Sequence, residues 1–240
     1  MPNNQLAKEM LRNSRATLLF QTADICILEG TDQSIAHELL QGSPGWTRIF
    51  EEYYLAPAND DTAKGSIVGA FFNWLSDRYT DEIDLSRNLA CYEELYRIAH
   101  DFRDGDNPPA VLDVGCGPGT IMRTHIPQSA QTVVGYDISD VTSRAAVSHG
   151  MTVMPRAQFL SQEPRFDVAL SAYAMHYACD LPETLSGVQR NLKSQGIWVL
   201  NFHKNIGIEL FLARLPTTHL HLVASPYESP FGAIVIVRNR

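Results

Sequence analysis

Three glycines follow a short apolar run in VLDVGCGPGT, residues 111–120, at the spacing GxGxG. Glycine lets the main chain turn sharply and approach a ligand closely, because it has no Cβ. A loop of Gly115, Gly117 and Gly119 between a strand and a helix is therefore a candidate site for a phosphate, a dinucleotide or another nucleoside. The loop alone is weak evidence, so the choice among these ligands depends on the residues around it.

Two carboxylates narrow the choice of ligand. Asp113 stands two residues before the first glycine, where it would repel a pyrophosphate and suit a ligand with a cationic part. Asp137 ends the next predicted strand, VVGYDIS, where a carboxylate can accept hydrogen bonds from both hydroxyls of a ribose. No Gly-Lys-Ser or Gly-Lys-Thr follows the loop, and Thr120 stands where a dinucleotide fingerprint has its last Gly or Ala. A nucleoside cation such as S-adenosylmethionine fits these residues.

Short apolar segments alternate with helical segments after the breaker RDGDNPP, residues 103–109. The predicted strands lie in AVLDVG, QTVVGYDIS, MTVMP, RFDVALSAYA and IWVLNFHKN, and a final pair lies in THLHLVASPYESPFGAIVIVRN. Strands that alternate with helices indicate crossover units and a mainly parallel sheet. The final pair predicts a hairpin that adds an antiparallel edge. We therefore expect an α/β fold with a Rossmann-like, seven-stranded sheet over residues 106–240.

The preceding residues have a different pattern and are expected to be mostly helical. Apolar residues recur there at broadly helical spacing, and Gly30 and Gly42 are candidate helix ends. An aromatic stripe on a predicted helix is typical of a core or of a pocket wall; it contains Trp46, Phe50, Tyr53 and Tyr54. We predict a helical N-terminal cap over residues 1–105 that contributes to the binding of an acceptor.

The segments VLDVGCGPGT, VVGYDIS and FDVALSAYAMHY, in this order, resemble the class I S-adenosylmethionine-dependent methyltransferase family. The resemblance extends from about residue 77 to residue 240, since WLSDRYTDEIDLSRNLACYEEL is similar to the helix that leads into the family's core. It implies that the cofactor is S-adenosylmethionine and that the reaction is methyl transfer. Nothing in these segments is specific for an acceptor.

The resemblance also implies a set of cofactor-binding residues: Tyr79, Asp113, Gly115, Gly117, Gly119, Asp137, Ile138 and Ser171. Asp113 and the first two glycines would face the methionine part of the cofactor, and the third glycine would allow the turn into the helix. Asp137 would hold the ribose, and Ile138 would pack on adenine. Ser171 would lie near the middle of the cofactor, and Tyr79 would lie over its methionine end.

One position departs from the family's pattern. The family often places an acid after the third strand, near the adenine amino group, whereas this sequence reads MPRAQFL, with Arg156 there. Main-chain groups or Gln158 would then have to recognise adenine. The departure keeps a rival interpretation open, in which the chain is a binding or regulatory protein with the methyltransferase fold and no transfer activity.

Candidate catalytic residues follow from the chemistry of methyl transfer. Transfer from a sulfonium is an in-line displacement, for which the protein mainly aligns donor and acceptor. A base is needed only if the acceptor atom carries a proton at the working pH. His176 in SAYAMHY and His203 in NFHKN follow the fourth and fifth strands, so we expect one of them to reach the acceptor. The alternative for both is packing in the wall of the cleft, as for Tyr173 and Tyr177.

Composition and charge restrict the partners. The chain has 240 residues, of which 45% are hydrophobic, and a net charge of −8. Residues 1–108 carry 9 Lys and Arg against 18 Asp and Glu, a net charge of −9. An acidic half repels phosphate backbones, so we expect no nucleic acid as a partner. A small-molecule acceptor is the expected partner, with a homodimer as an open alternative for the assembly.

Membrane, secretion and metal signals are weak. No run of 18 apolar residues occurs, so no membrane span is expected. The polar start MPNNQLAKEMLRNSR is unlike a secretion signal, and a cytoplasmic protein is predicted. His219 and His221 alternate on one predicted strand face, but without an acid triplet they do not predict a metal site.

The sequence therefore predicts S-adenosylmethionine-dependent methyl transfer to an O or N atom of a small-molecule acceptor. A nicotinamide-dependent oxidoreductase is the alternative from another enzyme class. The missing last glycine of the fingerprint and the carboxylate of Asp113 argue against it.

Overall fold

The structure is a computed structural model of the chain. It describes residues 5–21, 26–30, 35, 38–39, 46–50, 53–56, 61–75, 83–161, 163–175, 181–205 and 207–240. The chain divides into two compact units, Met1–Trp74 and Leu75–Arg240. Each unit is described by itself.

The first unit contains an antiparallel sheet and helices. Its described elements are α1 (Gln5–Arg12), β1 (Ala16–Gln21), β2 (Cys26–Gly30), β3 (Thr47–Phe50), β4 (Tyr53–Leu55) and α2 (Asp61–Leu75). The strands pair in the order β1-β2-β4-β3. Met10 of α1 and Leu28 of β2 are buried in one apolar core with Trp46 and Tyr54.

The prediction of a mostly helical N-terminal region is wrong for the residues of these four strands. Short apolar runs such as ATLLFQ and CILEG do not distinguish a helix from a strand by periodicity alone, and here they pair as β1 and β2. Aromatic residues also favour strands, where their side chains pack on a pleated surface. Trp46, Tyr53 and Tyr54 are buried as expected of a core, but on or beside strands and not on a helix.

The second unit alternates strands with helices. Its elements are α3 (Leu85–Phe102), β5 (Ala110–Val114), α4 (Ile126–Ser129), β6 (Thr132–Tyr136), α5 (Asp140–Ser148), β7 (Thr152–Val153), α6 (Arg156–Ser161), β8 (Phe166–Ser171), α7 (Leu181–Asn191), β9 (Leu192–Phe202), α8 (Ile208–Arg214), β10 (Leu220–Leu222), β11 (Tyr227–Ser229) and β12 (Gly232–Asn239). Short 3₁₀ turns cover Thr120–Arg123, His203–Asn205 and Leu215–Thr217.

The sheet of the second unit confirms the predicted α/β fold. Seven strands lie in the order β10-β12-β9-β8-β5-β6-β7, and the short β11 pairs with β12. Strands β5 to β9 pair in parallel, and β12 joins β9 antiparallel with Ala233 opposite Phe202. The order reverses at β5, which lies between β8 and β6. Ligands of such sheets bind at the carboxyl ends of the strands at this switch point.

Helix α3 belongs to the second unit, whereas the sequence-based boundary lies after residue 105. The N-terminus of the helix is capped by Asp84, whose carboxylate accepts a hydrogen bond from the main chain of Arg87 at 3.0 Å. Its buried face, including Cys91 and Leu95, shares a core with residues of the parallel strands. A composition break at RDGDNPP therefore marks a loop inside the unit and not its edge.

The parallel strands are buried on both faces, as their continuous apolar sequences require. On one face, Phe159 of α6 stacks on Tyr136 at the end of β6, with ring centroids 3.8 Å apart and planes 9° apart. Gly187 of α7 lies against the same ring. None of the helices that the structure describes has the length and apolar character required to cross a membrane.

Replacing Gly187 tests this packing. A Cβ at residue 187 would lie 2.0 Å from Cε1 of Phe159, so Gly187→Ala must displace a stacked ring. We expect the free energy of unfolding in urea to fall by about 1–3 kcal/mol, despite the higher helix propensity of alanine. Arg190→Ala on an exposed part of the same helix is the matched control and should change it by less than about 0.5 kcal/mol. Equal stability of the wild type and Gly187→Ala would contradict the packing.

Candidate cofactor site

The glycine loop follows β5 at the switch point of the sheet. Gly115, Gly117 and Gly119 have φ angles of 82°, 52° and 79°, in the left-handed region that favours glycine. The main-chain N–H groups of Gly115 and Cys116 both donate to the carbonyl of Tyr136, at 2.7 and 3.1 Å. The loop is thereby held against the end of the neighbouring strand β6.

Two of the glycines also lie close to other residues, and Gly115 lies too close to carry a side chain. A Cβ at Gly115 would lie 2.2 Å from the Cβ of Ala174, and one at Gly119 would lie 3.1 Å from the Cβ of Ala146. The first contact places the segment after β8 directly against the glycine loop. The loop therefore forms a close-packed main-chain surface at the carboxyl ends of β5 and β8.

Asp137 connects the glycine loop to β6. Its Oδ2 accepts from the main chain of Gly117 at 2.8 Å, and its Oδ1 accepts from the main chain of Ser139 at 2.8 Å. The Thr142 hydroxyl lies 3.4 Å from Oδ1. Burial raises the pKa of Asp137, and these hydrogen bonds oppose the rise. The predicted ribose-binding carboxylate thus also organises the loop.

Asp113 lies under the loop and is completely buried. Both of its carboxylate oxygens are within hydrogen-bond distance of the Tyr92 hydroxyl, at 3.2 and 3.1 Å. Burial raises the pKa of Asp113 to about 8, and Tyr92 opposes this rise while the nearby Asp137 adds to it. No motif marks Tyr92 in the sequence; its only signal is a hydroxyl on the buried face of α3.

Ile138, Ser171 and Tyr79 are the other residues predicted to contact the cofactor. Ile138, next to Asp137, is a large apolar side chain that remains 37% exposed. Ser171 is buried, and its hydroxyl accepts a hydrogen bond from Trp198 Nε1 at 3.0 Å, so its side chain is occupied within the core. Its contact with a cofactor stays a prediction. Tyr79 lies outside the described residues.

Arg156 is paired with an acid on a neighbouring helix. Its Nε donates to Glu183 Oε1 at 2.6 Å, and its Nη2 contacts the other carboxylate oxygen. The bidentate pair joins the start of α6 to the first turn of α7. An acid is therefore present beside Arg156, but it comes from α7 and not from the segment after β7.

The segment after β8 is held by residues from several elements. The main chain of Tyr173, which has a φ of 56°, donates to Asn201 Oδ1 at 2.7 Å. The Asn201 amide in turn donates to the carbonyl of Phe231 at 2.8 Å. Arg87 of α3 donates to the Tyr173 hydroxyl at 3.1 Å and to the carbonyl of Pro230 at 2.7 Å. These contacts fix the phenol ring beside the glycine loop.

His203 follows β9 and packs edge-on against Tyr173, with ring centroids 5.7 Å apart. Burial lowers the pKa of His203 from its ordinary value of 6.5, and the positive charges of Lys204 and Arg87 lower it further. The ring is therefore neutral at neutral pH, as a general base must be. The other predicted base, His176, lies outside the described residues.

The structure thus brings the glycine loop, Asp113 and Asp137 together at one end of the sheet, with Tyr173 and His203 next to them. Within the described residues, no group of three or more His, Cys, Asp or Glu side chains is arranged to hold a metal ion.

Comparison with known proteins identifies the family. A family model described as "Methyltransferase domain" matches residues 86–220, which is more than half of the chain. The matched segment contains the glycine loop, both carboxylates and most of the sheet. The chain belongs to this methyltransferase family, and its cofactor is S-adenosylmethionine.

The individual relatives have low sequence identity to this chain and match only part of it. The mouse protein "Arginine-hydroxylase NDUFAF5, mitochondrial" is 30% identical over 151 residues, which are 59% of this chain and 41% of the mouse protein. The chain therefore spans less than half the length of that relative.

Solved structures share the fold. The TehB-like SAM-dependent methyltransferase from Corynebacterium glutamicum has a TM-score of 0.52 and 21% identity, covering 69% of this chain and 97% of its own. The sugar N-methyltransferase KedS8 from Streptoalloteichus has a TM-score of 0.50 and 16% identity, covering 64% and 88%.

The residues present fit this cofactor. The glycine loop offers main-chain groups without side chains at Gly115, Gly117 and Gly119, and the buried Asp113 carboxyl beneath it carries a negative charge when it is ionised. Such a carboxylate suits a ligand that carries sulfonium and ammonium charges and no phosphate. Asp137, at the end of β6, is the carboxylate predicted to accept hydrogen bonds from a ribose.

Removing the Asp137 carboxylate tests the assignment. We expect Asp137→Ala to weaken binding of S-adenosylmethionine by about 1.5–3 kcal/mol, since a charged acceptor of ribose hydrogen bonds is lost and the loop loses its anchor. Isothermal titration calorimetry measures the change. Asp140→Ala removes an equal charge from the exposed first turn of α5 and should bind like the wild type. An unchanged affinity in Asp137→Ala would show that the ribose assignment is wrong.

Proposed function

We propose that this protein transfers the methyl group of S-adenosylmethionine to an O or N atom of a small-molecule acceptor. The observation that carries the proposal is the completely buried Asp113 carboxylate beneath a glycine loop whose main chain is bonded to Asp137. This arrangement matches a ligand with a ribose and a positive charge, and family membership names that ligand.

The residues of the chain have separate tasks in this proposal. Asp137 and the glycine loop hold the cofactor, and Asp113, when it is ionised, places a negative charge near its methionine part. When bound, the cofactor supplies a methyl group on a positively charged sulfur, which an acceptor lone pair can attack. Tyr173 and Arg87 form a wall beside the loop, where an acceptor would be aligned. His203 accepts the proton of an alcohol or ammonium acceptor at a ring nitrogen.

The nature of the acceptor is supported by charge and by composition. The acidic first half of the chain disfavours nucleic acid, and a structural neighbour with the same fold is named a sugar N-methyltransferase. The contribution of residues 1–105 to acceptor binding, a homodimeric assembly and a cytoplasmic location remain predictions. The name of the mouse relative includes "mitochondrial", so its compartment differs from the one predicted here.

Two alternatives without methyl transfer remain. The mouse relative is named an arginine-hydroxylase, so hydroxylation is one alternative activity for this chain. The second alternative is a binding or regulatory protein that retains the cofactor site. The argument for this alternative is Arg156, which follows the third strand of the second unit in place of an acid. Its ion pair with Glu183 gives Arg156 a structural role as a contact between two helices. A nicotinamide-dependent oxidoreductase lacks support from the family match.

Ligand binding and label transfer test the proposal together. We expect calorimetry to detect binding of S-adenosylmethionine and of S-adenosylhomocysteine, and no binding of NAD. The protein is then incubated with methyl-labelled cofactor and a cell extract from which ultrafiltration has removed macromolecules. Label should move to a small molecule, whose mass increases by one methyl group as measured by mass spectrometry.

Each outcome that contradicts the proposal supports a different conclusion about the activity. Binding of the cofactor with no transfer to small molecules or macromolecules would favour the binding-protein alternative. Transfer to the retained macromolecules, tested in a parallel reaction, would overturn the small-molecule assignment. Gain of an oxygen atom in place of a methyl group would identify a hydroxylase. Failure to bind either nucleoside would overturn the proposal as a whole.

Replacing His203 tests the base. We expect His203→Ala to lower kcat with the labelled acceptor by about 10²–10⁴-fold, the usual contribution of a general base, with little change in cofactor affinity. In the wild type the neutral ring is the active form, and its pKa is lowered. The wild-type rate should therefore fall as the pH drops through a value below 6.5. The rate of His203→Ala should not show this fall at low pH. His219→Ala, at an exposed histidine, is the control; a wild-type pH profile in His203→Ala would exclude the base.

A further inference from the structure

We propose that Tyr92 is a positioning residue of the cofactor site, and that its hydroxyl orients the Asp113 carboxylate and stabilises its ionised form for the cationic end of S-adenosylmethionine. The inference rests on the proposed function, since Asp113 is assigned there to the methionine part of the cofactor. Neither the glycine motif nor the family match marks Tyr92 as a functional residue.

The geometry of the pair is that of one donor shared by two acceptors. The Tyr92 hydroxyl lies 3.2 Å from Oδ1 and 3.1 Å from Oδ2 of Asp113. Tyr92 is 3% exposed and Asp113 is 0% exposed, so water does not compete for the contact. Among the described residues, Tyr92 donates the side-chain hydrogen bonds that Asp113 accepts. The plane of the carboxylate is therefore set by a side chain of α3.

Helix α3 is a rigid support for that hydroxyl. Asp84 caps its N-terminus, and Cys91 and Leu95, on either side of Tyr92, are completely buried against the sheet. The Tyr92 ring itself belongs to the same apolar core. Because the backbone and the ring are both fixed by packing, the hydroxyl remains directed at Asp113 without a cofactor.

The charge balance shows why the hydroxyl matters. A buried carboxylate is destabilised in its ionised form, and Asp137 adds repulsion. Among the described residues, the titratable groups that interact with Asp113 are Tyr92 of α3, Asp137 at the end of β6 and Cys116 of the glycine loop. Tyr92 alone among these favours the ionised form. It therefore favours ionisation of Asp113 at a position where burial and an acidic neighbour oppose it.

A purely structural role for Tyr92 predicts a different pattern. If the hydroxyl only satisfied a buried acceptor, its loss would lower the stability of the protein and weaken every ligand of the site alike. A positioning role predicts a selective effect on ligands that carry the methionine part, and an effect on how their binding depends on pH. Comparing ligands with and without that part separates the two roles.

The test is calorimetric titration of Tyr92→Phe with S-adenosylmethionine and with adenosine, which lacks the methionine part. Since hydrogen bonds to charged groups are worth more than neutral ones, we expect affinity for S-adenosylmethionine to fall about tenfold. Affinity for adenosine should change by less than about twofold. Tyr96→Phe is the matched control, because Tyr96 lies one turn further along α3 and its hydroxyl contacts Ser129 and not Asp113.

The pH dependence provides a second readout. Ionised Asp113 binds the cation better, so wild-type affinity should rise with pH through the pKa of that carboxyl. Loss of the Tyr92 hydrogen bond raises this pKa further, so the midpoint of the rise should move to higher pH in Tyr92→Phe. In an Asp113→Asn background, Tyr92→Phe should have no additional effect on affinity for S-adenosylmethionine.

The outcomes are distinct from those of the proposed function. If the wild type binds neither S-adenosylmethionine nor adenosine, the proposed cofactor site fails. If the wild type binds and Tyr92→Phe weakens both ligands equally, or neither, the positioning role is wrong while the cofactor site stands. The same conclusion follows if Tyr92→Phe and Asp113→Asn act independently. Urea unfolding of each variant checks that the fold is retained.

Discussion

The hydrogen bond between the Gly117 main chain and the Asp137 carboxylate is the constraint on which the cofactor site depends. Glycine loses more conformational freedom on folding than any other residue, so a loop of three left-handed glycines is costly to order. Asp137 offsets that cost because it accepts hydrogen bonds from both the loop and the start of the next helix. One side chain thereby sets the path of the loop, and the same side chain is the proposed acceptor of hydrogen bonds from a ribose.

The predictions that succeeded from the sequence depend on neighbours along the chain. The strand before the glycine loop and the loop itself lie within a few residues of each other, and Asp137 ends the strand that follows. Their arrangement depends on one crossover unit, whose handedness is nearly invariant. Local pattern was therefore enough to place them at one end of a parallel sheet, as the structure confirms.

Contacts between distant segments were not predictable in this way. The hydrogen bonds from Tyr92 to Asp113 and from Trp198 to Ser171 form because the packing of helices and strands brings separate parts of the chain together. The spacing of these residues along the sequence does not indicate that they are in contact. The first unit shows a related failure, since its short apolar runs suit a helix or a strand equally, and pairing between β1 and β2 decides the outcome.

Asn201 offers a route to altering the range of acceptors. Its amide holds the segment after β8 through the main chain of residue 173 and holds the turn before β12 through the carbonyl of Phe231. Neither bond involves the phenol side chain of Tyr173. Protein engineers can therefore vary the side chain at position 173, in the wall where the acceptor is proposed to be aligned, while the backbone that carries it stays anchored.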